Sequence, residues 1–268
     1  MKKYISYFKL KVKNGLQYRA AALAGISTQV FFGFMYVSIY IAFYNSGSKG
    51  KLPMPLSELV TYTWLVQAFL ALVFLWKQDK ELIRSIKNGD IAYEFLRPQD
   101  LYFMWLARFL GDRISSTLLR IVPVILVAIL LPMPYTLKLS TNLLLTLLSI
   151  LAIILAGIIA ATLSLLFHII CLFTIDDRGI VNMFMVTSDV LSGLTIPIPF
   201  FPKYLQQLSN ILPFRYVTDF PIRLYVGNIE LSSGLIGILV QITWIILLII
   251  IGKSLLYKAS KRIVVQGG

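Results

Sequence analysis

Residues 142–173 read NLLLTLLSILAIILAGIIAATLSLLFHIICLF, thirty-two positions without one Asp, Glu, Lys or Arg. A helix rises about 1.5 Å per residue and a bilayer core is about 30 Å thick, so about 20 apolar residues cross it. This run exceeds that length and predicts a transmembrane helix that tilts or protrudes. The rest of the chain has the same character. Of its 268 residues 58% are hydrophobic and only 14% charged, where a soluble domain carries about a quarter charged. The pattern predicts an all-α membrane protein, one transmembrane domain over residues 1–268, with six spans at about 20–44, 59–76, 114–131, 142–173, 180–196 and 234–257. The third is the hardest to place. Residues 121–133 are too short alone, so that helix is expected to begin near Ile114 and to include Arg120.

The formal net charge is +13. This excess does not point to nucleic acid, because basic residues of membrane proteins collect on cytoplasmic loops. With the N-terminus inside, eighteen Lys and Arg fall on the inner side and six on the outer. The expectation is a multi-pass protein of the cell membrane, embedded in lipid, with both termini cytoplasmic. Residues 1–18 predict an amphipathic helix lying at the inner interface, with Ile5, Phe8, Val12 and Leu16 at helical spacing. They do not form a signal peptide, since Lys9, Lys11 and Lys13 interrupt any apolar run. Leu-Pro-Met-Pro occurs at 52–55 and 131–134, but the flanking residues do not repeat, so the match is a coincidence of proline-rich outer turns.

Catalytic chemistry has little to stand on. With a single histidine, His168, and a single cysteine, Cys171, no His-x-x-x-His zinc pair and no disulfide can form within the chain. His168 and Cys171 lie three apart on one helix, yet no third group orients them, and interior packing explains both. No glycine-rich phosphate loop is present, so the chain does not hydrolyse nucleotide by itself. No catalytic residue, metal site or chain-bound cofactor is expected.

Two segments carry more information. Residues 77–100 contain Asp79-Lys80-Glu81-Leu82-Ile83-Arg84-Ser85-Ile86-Lys87-Asn88-Gly89-Asp90-Ile91, then Tyr93-Glu94-Phe95-Leu96-Arg97-Pro98. Leu82, Ile83 and Ile86 with the charges between them predict a short amphipathic helix, stopped at Asn88-Gly89. A charged, capped helix on the inner face suits the docking of a soluble partner. Residues 197–231 are too polar and proline-rich to span. They contain Pro197, Phe201, Pro202, Pro213, Phe214 and Pro221. Broken backbone at membrane depth survives only where it packs on protein or lines a cavity, so this stretch predicts a re-entrant helical hairpin that plugs or gates the outer end.

The pattern Ile86-x-x-Gly89-Asp90-Ile91-x-x-x-Phe95-Leu96-Arg97-Pro98, together with Leu191-Ser192-Gly193, Pro197, Phe201-Pro202, Leu212-Pro213-Phe214, Pro221, Tyr225 and Gly227, resembles the type-2 permeases of ATP-binding cassette exporters. The order and placement of these motifs cover nearly the whole chain. The resemblance implies a dimer of two permease halves, each resting on a nucleotide-binding ATPase subunit that holds ATP and Mg. It implies that Lys80, Glu81, Arg84, Lys87, Gly89, Arg97 and Pro98 couple to that subunit, and that Pro197, Phe201, Pro202, Pro213 and Phe214 form an outer gate. The substrate does not follow from such a fold.

Arg120 and Asp189 fall within expected spans, about 9 Å and about 13 Å deep, where ionisable groups are costly and mark function. Arg120 either snorkels to the interface or pairs with Asp189. Asp189 sits among Asn182, Thr187, Ser188, Ser192 and Gly193, a polar face expected at a dimer seam or along a transport path. Two other classes compete. A secondary transporter is expected to break helices in both halves, whereas this chain breaks near its end only. An intramembrane enzyme needs clustered His, Asp or Glu at depth, and none is visible.

Overall fold

The protein is described here by a computed structural model covering residues 2–46, 52–75, 79–174 and 178–261. Outside the described residues lie 47–51 of the expected first outer turn, 76–78 where the expected second span meets the expected docking segment, 175–177 and the tail 262–268. All regular elements among the described residues are helical: α1 (Lys2–Gly15), α2 (Arg19–Asn45), α3 (Leu56–Val73), α4 (Lys80–Asn88), α5 (Ile91–Phe95), α6 (Leu101–Leu130), α7 (Leu143–Thr174), α8 (Arg178–Ser192), α9 (Lys203–Ile211), α10 (Asp219–Tyr225) and α11 (Leu231–Ser260). Short 3₁₀ turns at Ile198–Phe200 and Pro213–Tyr216 flank α9.

Five helices, α2, α3, α6, α7 and α11, are long and apolar enough to cross a membrane. The expected fifth span is different. Helix α8 has 15 residues, about 22 Å, and stops at Ser192 because Gly193 takes a φ of +75°. A β-carbon at Gly193 would lie 2.9 Å from Asp219 Cβ and 3.0 Å from Tyr62 Oη. Both the left-handed backbone and the close approach therefore require glycine there.

Contacts between helices sort their ends. At one end the Asp100 amide donates to Tyr4 Oη of α1 (3.0 Å) and Lys253 of α11 pairs with Asp100 (2.6 Å). At the opposite end Tyr44 donates to the Met54 carbonyl, and Trp64 Nε1 donates to the Tyr135 carbonyl (2.8 Å). The long helices α2, α3, α6 and α7 thus run in alternating directions, while α11, whose Gly234 meets Leu148 near the start of α7, runs parallel to α7. Helix α1 lies along the first half of α6, with Lys11 Cβ against Gly111. Of its expected apolar stripe, Phe8 and Val12 are half-buried, while Ile5 and the neighbouring Leu10 stay exposed.

The third expected span needs correction. The helix does not begin near Ile114 but at Leu101, with Asp100 as N-cap accepting from the Phe103 amide (3.3 Å). Arg108, Asp112 and Arg113 therefore lie inside it instead of in a loop. Arg113 is 1% exposed. Its Nη1 donates to the carbonyls of Leu72 and Phe74 (2.7 Å each), and Nη2 donates to Ser164 Oγ of α7 (2.6 Å). Ser164 Oγ in turn donates to the Leu75 carbonyl (2.6 Å). A helix end leaves carbonyls without intrahelical partners, and here a cation, which also complements the helix dipole, takes the Leu72 carbonyl in the last turn of α3 and the Phe74 carbonyl just beyond it.

Arg113→Met should strand two buried carbonyls and lower stability by about 3 kcal/mol, whereas Ser164→Ala should cost about 1 kcal/mol. Thermal unfolding in detergent reads the difference. Equal midpoints for Arg113→Met and wild type would show that the end of α3 is held by other means.

Candidate functional site

The residues singled out from the sequence sit at two breaks in the helical backbone, and buried polar side chains close both. At the first break, Asp79 caps α4. Its carboxylate accepts from the amides of Glu81 (3.1 Å) and Leu82 (3.0 Å), two of the orphan donors of a helix start. Arg108 of α6 grips the same carboxylate through Nη2 (2.8 Å) and Nε, and also reaches Glu81 (2.5 Å). From α7, His168 Nδ1 donates to the Ser164 carbonyl (2.7 Å), which leaves Nε2 to accept from the Asp79 amide (3.1 Å). A carbonyl only accepts and an amide only donates, so these partners fix the tautomer. His168 is thus a buried structural acceptor, consistent with packing instead of a nucleophilic dyad.

Buried Leu82 and Ile83 seat α4, with Ile83 against Phe167 and Cys171 of α7. Gly89 ends it at φ +80°, with no atom near the place a β-carbon would take. Outward, α4 presents Lys80, Arg84 and Lys87, and Arg97 and Pro98 are exposed beyond α5. Glu81 is exposed but turned towards Arg108. Tyr93 and Leu96, 69% and 73% exposed, add an apolar patch beside these charges. A charged and apolar platform therefore rides on a helix fixed to α6 and α7. The supporting residues Asp79, Arg108 and His168 were missed by sequence reasoning. Only Asp79 left a readable trace there, as an N-cap residue one position before a helical pattern.

The second break runs from Gly193 to Asn228. Tyr62 donates to the Gly193 carbonyl (2.7 Å) and Tyr40 to the Thr195 carbonyl (2.8 Å). Asp219, with no exposure, accepts from the Ile198 amide (3.0 Å) and lies 3.3 Å from Arg223 and 3.5 Å from Arg215. Gln241 donates to the carbonyls of Ala152 (3.0 Å) and Tyr216 (2.9 Å). Pro197 precedes the first 3₁₀ turn, Pro202 precedes α9, and Pro213 opens the second turn, each at a helix start where its missing N–H costs nothing. Phe201 is half-buried, and its carbonyl accepts from Gln206 (2.7 Å). Phe214 meets Phe184 of α8 edge-on, 6.1 Å between ring centres. Asp219 was also missed, although Arg215-x-x-x-Asp219-x-x-x-Arg223 places both arginines one helical turn away.

A family profile described as ABC-2 family transporter protein matches residues 22–267. The chain belongs to the ABC-2 transporter family. It is a membrane permease of ATP-binding cassette transporters, a class of transport subunit that works with an ATPase partner. No curated protein matches the chain significantly.

In this ABC-2 permease the remaining site residues fall apart into two places. Arg120 packs its guanidinium over Gly25 of α2, and its Nε has no hydrogen-bond partner among the described residues. Asp189 is half-buried on α8, whose packing partners are α7, α9 and the Pro213–Tyr216 turn. No ion pair between them is found among the described residues, so the structure does not bring Arg120 and Asp189 together. Ser188, Ser192 and Gly193 are buried within the subunit, and α8 leaves Met183, Val186 and Val190 open. The side chain of Asn182 lies outside the described residues.

Asp79→Ala removes both the cap and the grip of Arg108, whereas Asp79→Asn keeps an acceptor for the cap. Amide exchange in residues 80–88 should rise at least about fivefold in Asp79→Ala, since a lost cap costs about 1 kcal/mol, and less in Asp79→Asn. Unchanged exchange in both variants would contradict the assigned role of Asp79.

Proposed function

We propose that this ABC-2 permease is an exporter half that pairs with a second permease half, the same or a paralogous chain, and is driven by a nucleotide-binding subunit docked on α4. The observation that carries the reading is the platform of Lys80, Arg84, Lys87, Gly89, Arg97 and Pro98, seated through Asp79 on Arg108 and His168. ATP and Mg belong to the docked subunit. A rigid seat favours transmission: a push on α4 is passed to α6 and α7 instead of being absorbed by the connecting loop.

The excess of Lys and Arg at the α4 end supports a cytoplasmic face there, with both termini inside the cell. Counting α8 as a short sixth span agrees with this, because α8 and α11 then continue the alternation. Depth supports a re-entrant outer segment. Tyr62 lies six residues, about 9 Å, inside α3, and Gln241 ten residues, about 15 Å, inside α11. Their partners Gly193 and Tyr216 are thus drawn towards mid-bilayer. Pro197, Phe201, Pro202, Pro213 and Phe214 then form an outer gate braced by α7 and α11. Arg120, Asn182, Ser188, Asp189, Ser192 and Gly193 remain the candidates for the path or dimer seam, with Asp189 on α8 the foremost.

A cysteine at Ser85 should cross-link to a nucleotide-binding subunit in native membranes, and should react with an impermeant thiol reagent only after permeabilisation. One at Gln206 should react from outside. Cross-links that never reach such a subunit would refute the docking role, and reversed labelling would refute the orientation. Asp189→Asn should leave assembly intact and change transport-linked ATP hydrolysis several-fold. Wild-type transport in Asp189→Leu would remove this residue from the path.

A further inference from the structure

A cavity of about 360 Å³ opens where α1, the first turn of α2 and the middle of α6 meet. Lys11, Asn14, Tyr18, Ala21 and Arg120 are on its walls. Three features point to an anion. Arg120, half-buried with its guanidinium over Gly25 of α2, contributes a cation to the wall for which no acidic partner is found among the described residues. The first turn of α2 is not covered by any capping side chain, and a helix start of this length is a favourable place for negative charge. Lys11 supplies a second cation. Asp112 is on the same wall, so the charged lining is two positive against one negative.

The surroundings indicate what carries the anion. The cavity lies beside the interfacial helix, and Leu23, one turn into α2, and Leu118 of α6 stand exposed at 66% and 54%. An apolar chain can lie on them while its head remains at the cavity. We propose that this cavity binds the phosphate of an anionic phospholipid, held by Lys11, Arg120 and the open start of α2, with the acyl chains against the exposed leucines. The site rests on the membrane reading of the chain and not on how the chain couples to an ATPase. It explains why Arg120 sits at this depth without an acidic partner.

Native mass spectrometry of the delipidated full chain, titrated with phosphatidylglycerol, phosphatidylcholine and inorganic phosphate in turn, tests the proposal. Phosphatidylglycerol should saturate one tight site, ahead of phosphatidylcholine. Lys11→Gln with Arg120→Gln should weaken that site about tenfold or more, the scale of losing charge-assisted hydrogen bonds. Ala21→Leu, which keeps both charges but fills the wall, should weaken it as well and guards against a folding defect in the charge variant. Lys9→Gln with Lys13→Gln removes as much charge from α1 and its surroundings but spares the cavity, and should leave binding unchanged. Equal losses in the two double variants would reduce the effect to diffuse attraction and overturn the site. Inorganic phosphate binding as tightly as the lipid would overturn its assignment to a lipid.

Discussion

A bilayer offers no water to a backbone carbonyl or amide, so each interruption of a helix inside it must be repaired by the protein itself. The helical path is interrupted twice here, after α3 and after α8, and both repairs use buried polar side chains, drawn from the long helices and, at the second break, also from the short α10. Arg113 and Ser164 take the carbonyls at the end of α3, and Arg108 and His168 hold the capping residue of α4. At the other break Tyr62, Asp219 and Gln241 supply the missing partners. The irregular segments are consequently tied to the spans around them by buried hydrogen bonds.

Helix α7 takes part in both repairs. His168 and Ser164 face the α4 break, and the Ala152 carbonyl shares Gln241 with the Tyr216 turn. Sixteen residues separate Ala152 from His168, about 24 Å along one helix. Small or β-branched residues line its fully buried face, among them Ala152, Ala156, Ile159, Ala160 and Ala161. Close packing of this kind transmits displacement with little internal compliance. One strut thereby joins the α4 platform to the Gly193–Asn228 segment, which gives the proposed coupling a physical route.

Most of the architecture was legible because it rests on local rules. Uninterrupted apolar length announces spans, and Asn88-Gly89 announces a helix end because a left-handed cap favours glycine. The errors share one cause. Arg108 and Arg113 read as loop charges because the carboxylate and carbonyls they serve lie roughly 30 to 40 residues away in sequence, and no spacing rule reaches that far. That is also why the third helix was expected to start thirteen residues late. Asp219 was passed over because Arg215 and Arg223 were counted as outer charges one at a time, although the spacing of four would have tied the three together. The short α8 escaped because Leu194–Ile196 continues the apolar run past a glycine that bends the backbone.

If buried polar contacts fix α4 to α6 and α7, then α4 must move with them during any transport cycle. Electron–electron resonance between spin labels at Lys87 on α4 and Met104 on α6, recorded on the assembled transporter without nucleotide and after trapping with ATP and vanadate, measures this directly. A rigid seat gives the same narrow distance distribution in both states. A shift or broadening on trapping would show that α4 swings independently of α6, and the rigid seat would have to be abandoned.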